Sequence, residues 1–129
     1  MNQRLEKVIN LPLHQQLGVK QISSSEGIGE LPITVNESAV NPNGFLHGGI
    51  VYLLADVCAY AGLLSMLDPK QDAVTHDIHV SVIRPATLGD SLLFQSKVIR
   101  LGKRIAFLEV QVLKDNSIIA SARVTKSIV

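Results

Sequence analysis

Ile50-Val-Tyr-Leu-Leu-Ala-Asp56-Val-Cys-Ala-Tyr60-Ala-Gly-Leu-Leu-Ser-Met-Leu67 runs for eighteen residues with one formal charge, Asp56. A helix drawn on this stretch is apolar on every face, so it belongs either in a bilayer or at the centre of a fold. The surroundings choose between them. An Asp at mid-span is costly in lipid, the ends carry no Lys or Arg belt, and alternating segments follow. The stretch therefore reads as the buried centre of a soluble fold, stopped by Asp68-Pro69-Lys70.

Working outward, Ala73 to Arg84 alternates as a strand with Ile78, Val80 and Val82 on one parity, and Pro85 to Asp90 breaks it. Ser91 to Leu101 is a second strand. Arg104 to Lys114 is a third, with Ala106, Leu108, Val110 and Val112 opposite Glu109 and Gln111. Ile118 to Ile128 is the fourth, with Ile118, Ala120, Ala122, Val124 and Ile128 opposite Ser121, Arg123 and Thr125. Connections as short as Gly102-Lys103 and Asp115-Asn116 cannot hold parallel crossovers, so these four strands are expected to form an antiparallel meander. Upstream, Pro12 to Leu17 reads as a short helical turn, and Gly18 to Ser24 and Ile28 to Val35 as two strands around Ser25-Glu26-Gly27. One antiparallel sheet covers one side of such a helix, so the sheet must curl around it and further faces must meet another chain. Self-association is the expectation.

Composition narrows the classes of function. The 129 residues, 47% hydrophobic and 18% charged, describe one globular domain, 1–129. A net charge of +1 gives no broad positive field for nucleic acid, and 4% aromatic residues without Trp offer no base-stacking surface. The lone Cys58 forms no internal disulfide, and no Cys/His set has zinc-finger spacing, which suits a reducing compartment. Met1 to Gln16 carries Arg4, Glu6 and Lys7 and lacks an apolar run of signal-peptide type, so a cytoplasmic location is expected.

The chemistry gathers where Asn41-Pro42-Asn43-Gly44-Phe45-Leu46-His47-Gly48-Gly49 enters the apolar helix. The first N–H groups of a helix lack intrahelical acceptors and carry partial positive charge, and glycine lets a ligand approach them closely. Such an end can hold an oxyanion. Gly48 and Gly49 can equally serve a tight turn, and Asp56 is what favours the chemical reading: a carboxylate in so apolar a helix needs compensation. Gly48 and Asp56 are eight residues apart, roughly 12 Å along a helix. A donor and a base acting on one carbonyl must lie closer than that, so the site is expected to straddle two chains. His47 is either an acid–base group or a loop-fixing hydrogen-bond partner. Cys58 sits on a different helix face from Asp56 and reads as core. His76 faces away from Asp77 and His79 in a regular strand, so no metal site is expected.

Asn41, His47-Gly48-Gly49 and Asp56, followed by Arg84-Pro85-Ala86 and Gly89-Asp90, resemble the hotdog-fold acyl-CoA thioesterases of the phenylacetate-degradation (PaaI-like) type across nearly the whole chain. The resemblance implies an α+β hotdog fold, a long central helix wrapped by a curved antiparallel sheet, dimerising through the sheet and often forming a dimer of dimers. It implies hydrolysis of acyl-CoA thioesters, with the catalytic carboxylate at Asp56, the carbonyl-polarising amide at Gly48, a positioning side chain at Asn41 and a water-holding hydroxyl at Thr75. Sister enzymes of the menaquinone and hydroxybenzoyl branch carry Glu where this chain has Asp56. Gly49, Phe45, Tyr52 and Tyr60 are expected beside the acyl group. Arg84, Lys103 and Arg104 stand where they could reach phosphates. Coenzyme A arrives as part of the substrate, and no metal or other cofactor is expected. Two other readings stand beside this one: a non-catalytic acyl-CoA or aromatic-acid binding module, and a hotdog hydratase or dehydratase using His47 and Asp56.

Overall fold

The computed structural model describes residues 2–129. Two short helices, α1 (Gln3–Ile9) and α2 (Pro12–Gln16), precede strands β1 (Ser23–Ser25) and β2 (Ile28–Thr34). The long helix α3 (Gly48–Leu64) follows, then β3 (Ala73–Val82), β4 (Ser91–Leu101), β5 (Ile105–Lys114) and β6 (Ser117–Ile128). The six strands form one antiparallel sheet in the order β1-β2-β4-β5-β6-β3, and α3 packs against its inner face. Among the described residues no helix is long and apolar enough to cross a membrane.

The expected four-strand meander holds only for β4, β5 and β6; β3 pairs with β6 at the far edge. Residues 83–90 can do this because three interstrand spacings are only about 14 Å, well within the reach of a chain that extends about 3.4 Å per residue. The expected strand over Gly18 to Ser24 shrinks to Ser23–Ser25. Gly18, at φ +90°, is taken up in ending α2, where the Val19 N–H donates to the His14 carbonyl at 3.0 Å. α3 stops at Leu64 rather than Leu67, with the Ser65 hydroxyl donating to the Gly62 carbonyl and accepting from the Gly27 N–H. The expected strand Ala73 to Arg84 ends at Val82, where Ile83 and Arg84 both donate to the Ile119 carbonyl. In β6 a bulge opposite Val112 and Leu113 turns Ile119 into the core and leaves Ile118 exposed, reversing the expected parity at that strand's start.

α3 and the sheet meet backbone to backbone. A Cβ added at Gly29 would stand 2.6 Å from the Cys58 carbonyl, and one at Gly62 would stand 2.8 Å from the Gly29 nitrogen. The buried Ser96 hydroxyl donates to the Cys58 carbonyl at 2.8 Å in the same crossing. Gly62→Ala should therefore cost about 2–3 kcal/mol in a urea melt, against less than about 1 kcal/mol for a glycine replaced where there is space. A melt unchanged from wild type would contradict this packing.

The helix is not covered all round. Ile50, Leu53, Asp56, Val57 and Tyr60 are half-buried, and Tyr52 is 46% exposed, a stripe repeating every three to four residues. The apolar stretch thus buries three sides against its own sheet and leaves one side, the side of Asp56, open.

Candidate active site

Local hydrogen bonds build the entrance to α3. The Asn41 Oδ1 accepts from the Asn43 N–H at 3.0 Å and the Phe45 N–H at 3.1 Å, so this side chain shapes the loop. His47 is the N-cap: its carbonyl accepts from the Ile50 N–H at 2.9 Å and the Val51 N–H at 3.1 Å, and its Nδ1 accepts from the Gly49 N–H at 3.2 Å. Of the two roles open to His47, the structure shows the loop-fixing one, and the Gly49 amide is spent on it. An accepting Nδ1 carries no proton, which places the ring proton on Nε2. The Gly48 N–H differs from its neighbour: among the described residues it meets no acceptor, and a Cβ at Gly48 would find nothing within 4 Å. The free amide borders a cavity of about 240 Å³ lined by Asn41, Phe45, Gly48, Val51, Arg84 and Ala86, among others.

Two turns further along, Asp56 is held from two strands. The Thr75 Oγ1 lies 2.7 Å from its Oδ1 and 2.8 Å from its Oδ2, and the Lys126 ammonium donates to Oδ1 at 2.7 Å. Lys126 also donates to the Thr75 Oγ1 at 2.9 Å and stands 5.7 Å from the centre of the Tyr60 ring. The Lys126 side chain is 3% exposed and that of Asp56 29%, so the carboxylate faces outward with the cation beneath it. Lys126 escaped the sequence reading, although the inward parity of Val124 and Ile128 passes through it.

A bulge brings Thr75 to Asp56. Thr75 pairs with Lys126 and Asp77 with Thr125, leaving His76 as the extra residue. In a regular strand Thr75 would share the outer face with Asp77 and His79. The bulge also corrects the placing of His76, which lies beside Asp77, with its Nε2 4.0 Å from the Asp77 carboxylate, rather than on the opposite face. Among the described residues no three His, Cys, Asp or Glu side chains are gathered as a metal site would need.

Other expected residues fall differently. Tyr60 does lie beside Asp56, but its hydroxyl donates to Asp72 at 2.7 Å, and burial with that hydrogen bond pushes its pKa up to about 12. Burial pushes the Cys58 thiol up to about 12 as well, so it stays protonated within the core. Arg84 borders the Gly48 cavity, whereas Lys103 and Arg104 lie in the β4–β5 turn at the opposite end of the sheet, the Asp56 end. Strands of about ten residues separate these ends by roughly 30 Å. One chain therefore carries two separate groups of candidate residues: a free amide with Arg84, and a carboxylate with Lys103 and Arg104 towards its end.

The sequence profile of the thioesterase superfamily matches residues 43–121, a span that includes Gly48, Asp56, Thr75 and Arg84 but not Asn41 or Lys126. The chain belongs to the thioesterase superfamily. This superfamily member is 29% identical over 107 residues to acyl-coenzyme A thioesterase 13 of Homo sapiens, a match covering 81% of this chain and 76% of that one. It is 32% identical over 96 residues to a candidate esterase of Deinococcus radiodurans, covering 74% of this chain and 63%, less than two thirds, of that relative's length. Its fold matches the solved PaaI protein from the phenylacetic acid degradation operon of Escherichia coli with a TM-score of 0.85 at 22% identity, covering 98% and 92% of the two chains. The hotdog fold of the PaaI type expected from the Asn41, His-Gly-Gly and Asp56 pattern is the fold observed.

Proposed function

We propose that this superfamily member hydrolyses acyl-CoA thioesters at a site completed by two copies of the chain. The observation that carries the reading is the pairing of a solvent-facing, unpartnered helix-N-terminal amide at Gly48 with an outward-facing carboxylate at Asp56. The thioester oxygen sits against the Gly48 N–H, which would stabilise the developing oxyanion by about 3–4 kcal/mol. Asp56 activates water or attacks the carbonyl carbon itself, Asn41 keeps the loop in shape, and Thr75 holds the water or the carboxylate. The 29% identity to an acyl-coenzyme A thioesterase supports coenzyme A as the thiol, entering as part of the substrate with no further cofactor. A cytoplasmic location suits such a substrate.

The two halves lie too far apart along α3 for one carbonyl, so the partner's helix supplies the second half. The open stripe of Tyr52, Leu53, Asp56, Val57 and Tyr60 and the unpaired edge of β3 suit a twofold dimer whose sheets join at β3. Arg84 of one protomer and Lys103 and Arg104 of the other would then flank one cleft, where phosphates could lie.

Thiol release from a panel of aromatic, short, medium and long acyl-CoAs tests the activity, and a panel with no cleaved member would reject it in favour of a binding module. Mixed subunits test the composite site. After exchange, Gly48→Pro and Asp56→Asn chains should regain about a quarter of wild-type turnover, because half the dimers are mixed and each holds one intact site. No recovery after proven exchange would place the whole site in one chain.

A further inference from the structure

Lys126 occupies a position that local patterning gives to an apolar residue. It lies on the inner face of β6 between Val124 and Ile128, and its side chain is 3% exposed. Lysine is among the residues least often buried, and an ammonium taken from water must be compensated by charge and hydrogen bonds. Every polar contact it makes in this structure points to one place: Asp56 Oδ1 at 2.7 Å and Thr75 Oγ1 at 2.9 Å, with the Tyr60 ring 5.7 Å away.

We infer that Lys126 is the positioning residue of the site: it occupies Oδ1 of Asp56 and one lone pair of Thr75, so that Oδ2 is the oxygen presented to the thioester. This inference rests on the role proposed above for Asp56. An ammonium donates only, so the Thr75 hydroxyl must accept from Lys126 and turn its single proton to the carboxylate. That proton lies between Oδ1 at 2.7 Å and Oδ2 at 2.8 Å, so it is the Lys126 contact that distinguishes the two oxygens. Oδ1 accepts from Lys126, while Oδ2 has only the Thr75 contact and keeps lone pairs for water or for the carbonyl carbon. Lys126 touches neither water nor thioester; it acts through Asp56 and Thr75.

The test compares Lys126→Met, Lys126→Gln and Lys126→Arg with Asp56→Asn on one acyl-CoA that the wild-type protein cleaves, measuring kcat, KM and Tm. Lys126→Met and Lys126→Gln should lose about tenfold to a hundredfold in kcat with KM within about twofold, as a misaimed catalytic group does. Lys126→Arg, which keeps the charge, should recover kcat to within about fivefold of wild type. A merely structural lysine would instead shift Tm and leave the kcat of the folded protein alone. Lys126→Met or Lys126→Gln turning over within about threefold of wild type, beside an inactive Asp56→Asn, would overturn the inference and spare the role of Asp56. Full activity in Asp56→Asn would remove that role and the inference with it. Failure of every neutral variant to fold would assign Lys126 to folding and overturn the inference as well.

Discussion

Asp56→Asn should lower kcat for thioester cleavage by a factor of about 10² to 10⁴, the contribution expected of a positioned base or nucleophile, with KM changed little. Asn is near-isosteric, and its Oδ1 still accepts from Lys126 and Thr75, so the substitution removes charge and reactivity while keeping the hydrogen bonds at that oxygen. Alanine is a poorer probe here. Both substitutions remove the counter-charge of the Lys126 ammonium, 3% exposed, but Asp56→Ala also removes the oxygen to which it donates. Breaking a buried pair on one side costs about 3–5 kcal/mol, and the part-open carboxylate brings this to about 3 kcal/mol, or roughly 10 °C in Tm. Adding Lys126→Met to Asp56→Ala should restore the Tm and none of the turnover, which separates stability from catalysis. An Asp56→Asn protein within about tenfold of wild-type kcat would refute the catalytic role.

Gly48→Pro should lower kcat by about 10² to 10³, the effect of losing one oxyanion donor, with the fold intact. The substitution deletes the amide proton and little else. Gly48 is the first residue of α3, where proline is favoured, and His47 before it sits at φ −62° and ψ 131°, the extended region that a residue preceding proline requires. A Cβ at Gly48 meets nothing within 4 Å, so the ring has room. Gly48→Ala keeps the N–H and should retain kcat within about threefold, which makes the pair of variants a test of the amide rather than of the glycine. Equal kcat in the two variants would remove Gly48 from the mechanism. The wild-type expectation for both experiments is the same thioester panel, so one assay reads carboxylate and amide together.

Much of the site was legible in sequence because it rests on local chemistry. The glycine pair at the start of an apolar helix and the single carboxylate within that helix are one-dimensional features, and both stand where the spacing put them. His47 was legible only as a choice between two roles, since its cap bond to Gly49 depends on backbone angles that residue type does not state. That Arg84 and the pair Lys103 and Arg104 lie at opposite ends of the sheet was not legible, because turns close in sequence order sit at opposite ends of long antiparallel strands.

Periodicity sufficed for the apolar central helix, for strands β4 and β5 almost to the residue, and for an antiparallel sheet that must curl around the helix. These follow from burial, which acts residue by residue on an amphipathic repeat. Strand order, the bulges at His76 and Ile119 and the crossing at Gly29 and Gly62 lay beyond it. Each is a matter of register between segments distant in the chain, and a register is set by the neighbour's hydrogen-bonding groups and side-chain volumes as much as by the strand's own residues. The bulge at His76 turns Thr75 inward, and the pairing of Thr75 with Lys126 sets a buried cation under Asp56. The carboxylate was thus written in the helix, but the hydroxyl and ammonium that aim it come from two strands that meet only once the sheet has closed.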